Sequence, residues 1–194
     1  MPISSHEHGA PPGGCRYGST SGRRFAERAD TRWLDRGVTT HEPDLTVERT
    51  MAATPEQIWA AWTAPAAIAL WWGPDGFTSD VRELDVRDGG RFDVVMRGPD
   101  GSEFTNRYVF DDVEPGRRAV YVHQGSPEHG LAPSRSVVAI EGGVGDPPRT
   151  LVTLRSYYSS AEDRRRHLED FRAADGARQL LERLETVALR GSGH

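Results

Sequence analysis

Seven histidines and one cysteine are the side chains of this 194-residue chain best suited to proton transfer, nucleophilic attack or metal binding. Their placement decides which chemistry is open. His6, His8, His41 and His194 lie in a polar first segment, at its junction or at the last position, and are read as solvated. His6 and His8 with Glu7 amount to an adventitious metal contact. His123 and His129 flank a Gly/Pro-rich turn with no cysteine or carboxylate at ligand spacing. His167 stands among Arg164, Arg165, Arg166 and Glu169, as on a helix surface. Only His123 falls in a strand pattern, where alternation can turn it inward as a ligand contact or proton carrier.

Nucleophilic chemistry fares worse. Cys15 sits in a segment too poor in apolar residues to offset its ordering entropy, and no Gly-x-Ser-x-Gly elbow is present. Gly142-Gly143-Val144-Gly145 leads into Pro147-Pro148 and a strand, so it is a hairpin connection and no phosphate loop. Asp111-Asp112 lies beside a turn and Glu162-Asp163 at a helix start, where carboxylates are ordinary. The expectation is no catalytic residue, no metal and no cofactor.

Charge narrows the partners. All 24 basic residues are arginine, and the net charge is -5. The run Arg164-Arg165-Arg166 is interleaved with Asp163, Glu169 and Asp170, as on a solvated helix face. Residues 1–43 carry +1 and the remainder -6, which argues against nucleic acid. No apolar run approaches the ~20 residues that span a bilayer, and residues 1–14 lack the order of a secretory signal. A cytoplasmic location is expected.

The elements that must position any site begin near residue 44. Residues 1–43 read as an extension, mostly disordered, with a short helix suggested by Phe25, Ala29 and Trp33 before Gly37. Leu45 to Arg49 alternates as a half-buried strand. Thr54-Pro55-Glu56-Gln57 then opens a helix with a capping box and proline at its first position. Pro65 starts a second short helix that Gly73-Pro74 ends. Six strand patterns follow, over 77–86, 91–97, 103–113, 119–124, 134–141 and 150–157, separated by turns such as Asp88-Gly89-Gly90 and Glu114-Pro115-Gly116. Short connections imply an antiparallel meander. Last comes one helix over 161–189, with Leu168, Phe171, Ala174, Ala177, Leu180, Leu181, Leu184, Val187 and Ala188 as one apolar stripe, and Gly176 marking a kink or a close approach. Residues 191–194 are a tail.

This order predicts an α+β fold: a curved antiparallel sheet of about seven strands gripping a long C-terminal helix, two short helices closing one end. Such an arrangement leaves a cavity between sheet and helix, where small molecules bind. Alternation places Phe104, Asn106, Tyr108 and Phe110 on one face, and Phe92, Val94 and Met96 on one face of the preceding strand. Trp71 and Trp72 are about 100° apart on a helix, so one of them faces the cavity. Trp72, Phe92, Met96, Tyr108 and Phe110 are expected as apolar walls, with Asn106 or His123 orienting the polar end of a hydrophobic or amphipathic ligand.

The strings Val47-Glu48-Arg49-Thr50-Met51, Pro55-Glu56-Gln57-Ile58-Trp59-Ala60-Ala61-Trp62-Thr63 and Trp71-Trp72-Gly73-Pro74 carry a further signal. Together with Arg87-Asp88-Gly89-Gly90-Arg91-Phe92, Met96-Arg97-Gly98-Pro99-Asp100-Gly101, and Gly176 followed by Leu180-Leu181-Glu182-Arg183-Leu184, they resemble homologues of the heat-shock protein 90 ATPase activator. These belong to the START-like superfamily with the birch-pollen-allergen, or helix-grip, fold. The resemblance covers residues 44–189 and places the domain at 44–190. It implies the same helix-grip cavity, and no shared catalytic set. It also implies two alternatives to simple binding. One is a cyclase- or hydratase-like enzyme using the cavity, with His123 paired to Asp93 or Tyr108. The other is a co-chaperone-like contact, and a homodimer is the remaining partner to be considered.

Overall fold

The computed structural model describes residues 42–145 and 149–191. The expected short helix and disorder before residue 42, together with Cys15, His6, His8, His41, His194 and the Pro147-Pro148 turn, lie outside the described residues.

Strand β1 (Leu45–Met51) leads to helix α1 (Pro55–Thr63). Thr54 caps α1 as the sequence suggests: its hydroxyl accepts from the Gln57 N–H at 3.3 Å, and its own N–H donates to Gln57 Oε1 at 2.7 Å. Helix α2 (Pro65–Trp71) follows. Then come β2 (Thr78–Leu84), β3 (Arg91–Arg97), β4 (Glu103–Glu114), β5 (Arg118–His123), a short 3₁₀ turn (Pro127–His129), β6 (Ser134–Val144) and β7 (Arg149–Tyr158). The seven strands form one antiparallel sheet in the order β1-β7-β6-β5-β4-β3-β2. The meander from β2 to β7 agrees with the short turns, and β1 pairs with the last strand. In the turn before β3, Gly89 has φ 73°, whereas Gly90 is glycine for room, since a Cβ there would collide with the Asp85 carbonyl.

The end of the chain departs from the single helix expected. Helix α3 (Ala161–Arg165) passes into a π-helical turn (Arg166–Asp170), and α4 (Ala173–Arg190) starts afresh. The Phe171 N–H reaches back five residues to the Arg166 carbonyl, and Arg172 takes the left-handed conformation at φ 49°. Arg172 is the one non-glycine residue with positive φ among the described residues. The break explains why Phe171, part of the expected stripe, is 45% exposed. Gly176 marks neither a kink nor a close approach, because it lies inside α4 with nothing within 4 Å of a Cβ built there.

Helix α4 buries Ala177, Leu181, Leu184 and Ala188 over the inner face of the sheet. Polar clamps hold it on both sides. Glu185 accepts from Arg49 at 2.8 Å and from the Ala52 N–H at 2.9 Å. Arg183 donates to the carbonyls of Leu70, Gly73 and Pro74, at and just beyond the end of α2. Beneath it the core joins Met51, Ile58, Trp62, Ile68 and Trp71 to Phe92, Phe110, Val138 and Val152. No helix among the described residues is long and apolar enough to cross a membrane.

Candidate ligand site

Register assembles the site. Residues paired across neighbouring antiparallel strands share a face, so the inner face can be followed strand by strand. One rung runs Phe92, Tyr108, His123, Ser134, Tyr158 across β3, β4, β5, β6 and β7. The next runs Phe110, Tyr121, Ser136, Ser156, Leu45. Beyond it the rung Ala119, Val138, Leu154, Val47 is wholly apolar and packs under α4. The inner face thus has a packed apolar half and a half lined by rings, hydroxyls and one imidazole.

The polar half lies under the break in the last helix. His167 of the π-helical turn stacks on Tyr158 with ring centroids 4.3 Å apart and 25° between planes, and its Nδ1 lies 2.9 Å from the Asp163 carbonyl. The histidine expected on a helix surface is therefore a half-buried one that covers the rung. The unbroken helix was a matter of apolar spacing. The break lets the preceding segment lie over the sheet end while α4 keeps its own face on the core.

Aromatic contacts form the floor. Trp72 meets Phe92 edge-on at 4.8 Å and Tyr108 at 5.5 Å, and Phe92 stacks on Tyr108 at 5.4 Å. Tyr108 lies 5.1 Å from His123 and 5.6 Å from Tyr121. Between the two tryptophans, Trp72 faces the sheet. Trp71 is fixed instead by its indole N–H donating to the Ala61 carbonyl at 2.9 Å.

This wall is uncharged. Burial, reinforced by His167 nearby and opposed by Glu128, pushes His123 down to about 4, so its imidazole is neutral at ordinary pH. Burial likewise raises Tyr108 and Tyr121 above the usual phenol range, and Tyr158 is pushed up to about 12. No group of three or more metal-ligating side chains occurs among the described residues. Tyr108, Ser134 and Ser136 retain accessible surface on the inner face. Nε2 of His123 is buried there without a hydrogen-bond partner, on a residue only 7% exposed. Leaving a buried polar atom unsatisfied costs about 1–3 kcal/mol, so a native group in this state has a use or a missing partner.

The depressed His123 makes stability depend on pH. Above about pH 6.5 both folded and unfolded states carry a neutral imidazole, so the group is silent. As pH falls from about 6.5 toward 4, the unfolded chain takes up a proton that the folded chain refuses, and stability is lost. The full effect is about 3 kcal/mol at 1.36 kcal/mol per unit. Urea titrations at a series of pH values should show this loss in the native chain and a flatter profile in His123→Gln. Identical profiles would mean that His123 is not held neutral.

All seven expected wall residues belong to the inner face or its rim. Trp72, Phe92, Tyr108, Phe110 and His123 come together in the two rungs and their floor. Met96 and Asn106 stand further along β3 and β4, toward the turn between them: Met96 pairs with Phe104 and packs near Gly73, and the Asn106 side-chain N–H₂ donates to the Phe104 carbonyl at 3.0 Å. Asp93 is not available to His123, because it pairs with Arg107 on the opposite face. The residues missed in the sequence are Tyr121, Ser134, Ser136, Ser156, Tyr158 and His167. For Ser134 and Ser136 the readable signal was parity with Val138 and Ile140, for Ser156 and Tyr158 parity with Leu154, and for Tyr121 parity with Ala119, whereas His167 offered none. An open groove of about 250 Å³ also lies along β1 and α4, lined by Val47, Glu48, Arg49, Arg178, Leu181 and Glu182, and shares no residue with the two polar rungs.

The chain matches the family model described as Activator of Hsp90 ATPase homolog 1-like protein over residues 52–188. Among solved structures, a Nitrosomonas europaea protein is 22% identical with a TM-score of 0.68, the match covering 77% of this chain and 96% of that one. A Mycobacterium smegmatis protein is 25% identical with a TM-score of 0.66, over 76% of this chain and 93% of that one. A Silicibacter pomeroyi protein is 21% identical with a TM-score of 0.60, over 75% and 98%. No curated protein matches the sequence.

Proposed function

This chain belongs to the Activator of Hsp90 ATPase homolog 1-like family, and on that premise we propose that residues 44–190 form a receptor for a hydrophobic or amphipathic small molecule held between the sheet and the last helices. The observation that carries the reading is the polar half of the inner face. Tyr108, Ser134 and Ser136 keep accessible surface on the inner face, beside an imidazole nitrogen without a partner. A packed core would fill such a space with carbon, because voids beside apolar walls forfeit dispersion contacts. Trp72, Phe92 and Phe110 supply apolar area, and the rung hydroxyls supply orientation.

A second reading, proton transfer on a bound substrate by His123 beside Tyr108, has one observation in its favour, the 5.1 Å ring separation. It is the weaker one. A neutral imidazole pushed down to about 4 has little basicity at neutral pH.

Mass spectrometry of the protein purified under native conditions tests the receptor reading. A bound species approaching one per chain, released on denaturation, is the expected result. A protein that carries nothing and whose Tm is unmoved by fatty acyl, aromatic and polyketide-like compounds would overturn it.

A further inference from the structure

We propose that the molecule held at these rungs is an uncharged ring compound bearing a hydroxyl group, and that this hydroxyl hydrogen-bonds Nε2 of His123. The inference rests on the receptor reading and narrows it to a ligand class.

The argument starts from which polar atoms are already engaged. Ser136 and Ser156 lie 3.2 Å apart, Oγ to Oγ. The two serine hydroxyls of the second rung therefore serve each other, and Nε2 of His123 is left over. A hydroxyl both donates and accepts, so it satisfies that nitrogen in either imidazole tautomer, whereas a carbonyl satisfies only one.

The charge of the surroundings rejects an acid. Neither rung contributes an arginine or a carboxylate. The charged groups that reach the site from other elements are committed or of the wrong sign. Glu128, on the turn after β5, is anionic. Arg164 of α3 pairs with Asp44 at 3.4 Å, and Arg166 of the π-helical turn donates to the Gly130 carbonyl at 2.6 Å. A carboxylate entering here would lose its hydration and gain no counter-charge. The body of the ligand follows from the floor. Trp72 edge-on, with Phe92 and Tyr108 stacked on each other, offers ring edges and faces to which a flat ring adds by offset or edge contact.

Equilibrium dialysis of the full chain at about pH 7 with 2-naphthol and, separately, 2-naphthoate tests this on one ring system. The naphthol should bind at least about tenfold more tightly. His123→Phe, which keeps a buried ring and removes the nitrogen, should weaken 2-naphthol binding about tenfold, and His123→Gln should keep it within about threefold of native. Should the phenylalanine variant fail to fold, the native comparison and the glutamine variant still decide the matter. Equal or tighter binding of the naphthoate overturns the hydroxyl inference and leaves the receptor reading standing. Binding of neither ring up to about 1 mM also overturns it. The receptor reading falls only if native purification yields no bound molecule as well.

Discussion

Replacing Trp62 with alanine should cost about 3–5 kcal/mol of folding stability, the range for a large aromatic removed from a closed core. Trp62 is 2% exposed, and its ring lies 5.1 Å from Trp71, 5.5 Å from Trp72 and 5.7 Å from Tyr121. It is the place where α1, the end of α2 and the sheet meet. Three large rings cannot collapse into the hole together, because each is fixed elsewhere: Trp71 by Ala61, Trp72 by Phe92, Tyr121 by its strand. The loss is one of packing. The Trp62 indole N–H has no hydrogen-bond partner, so no bond is broken. Urea denaturation read at constant m-value measures the change. Leu70→Ala on the neighbouring helix is the control: at 63% exposure it should stay within about 0.5 kcal/mol of native. A Trp62→Ala loss below about 1 kcal/mol would show that the ring cluster is not the keystone of the helical end.

Ser134→Leu should close the ligand site without harming the fold. Ser134 is half-buried on the inner face of β6, between His123 on β5 and Tyr158 on β7. Leucine adds three carbon atoms where the rungs leave space, and filling an existing space commonly stabilises by about 0.5–2 kcal/mol. The expected result is a Tm equal to or above native and a loss of more than about thirtyfold in 2-naphthol affinity, or about 2 kcal/mol. Thr105→Leu makes a similar change on the exposed, opposite face of β4 and should leave affinity untouched. Native-like affinity in Ser134→Leu would place the ligand elsewhere and sink the rung assignment. A fall in Tm would mean that the space is already filled.

Much of the frame was legible because its signals are local. The Thr54 capping box, the prolines opening α1 and α2, and the turn residues between strands act within four or five residues. Strand alternation placed Phe92 with Met96, and Asn106 with Tyr108 and Phe110, because parity along one strand needs no knowledge of its neighbour. It also put His123 in a strand. Three readings failed where a second element was required. Of the two partners offered for His123, Tyr108 lies beside it, whereas the β3–β4 register turns Asp93 to the other face. His167 was read as a surface residue, yet it stacks on Tyr158. The last helix was read as unbroken, because apolar spacing is silent about what lies beneath it.

By itself, then, the sequence determined the class of fold, the order of its elements and the parity of each strand. These follow from short-range sterics, capping and the period of two or of 3.6 residues. Only the tertiary structure decided which residues meet. Tyr108 and His123 are fifteen positions apart, His123 and Ser134 eleven, and Ser134 and Tyr158 twenty-four, and pairing makes them one rung. Register is fixed by the burial of whole faces and not by any local motif. The left-over nitrogen of His123 and the uncharged wall around it therefore became visible only when five strands and the broken helix were brought together.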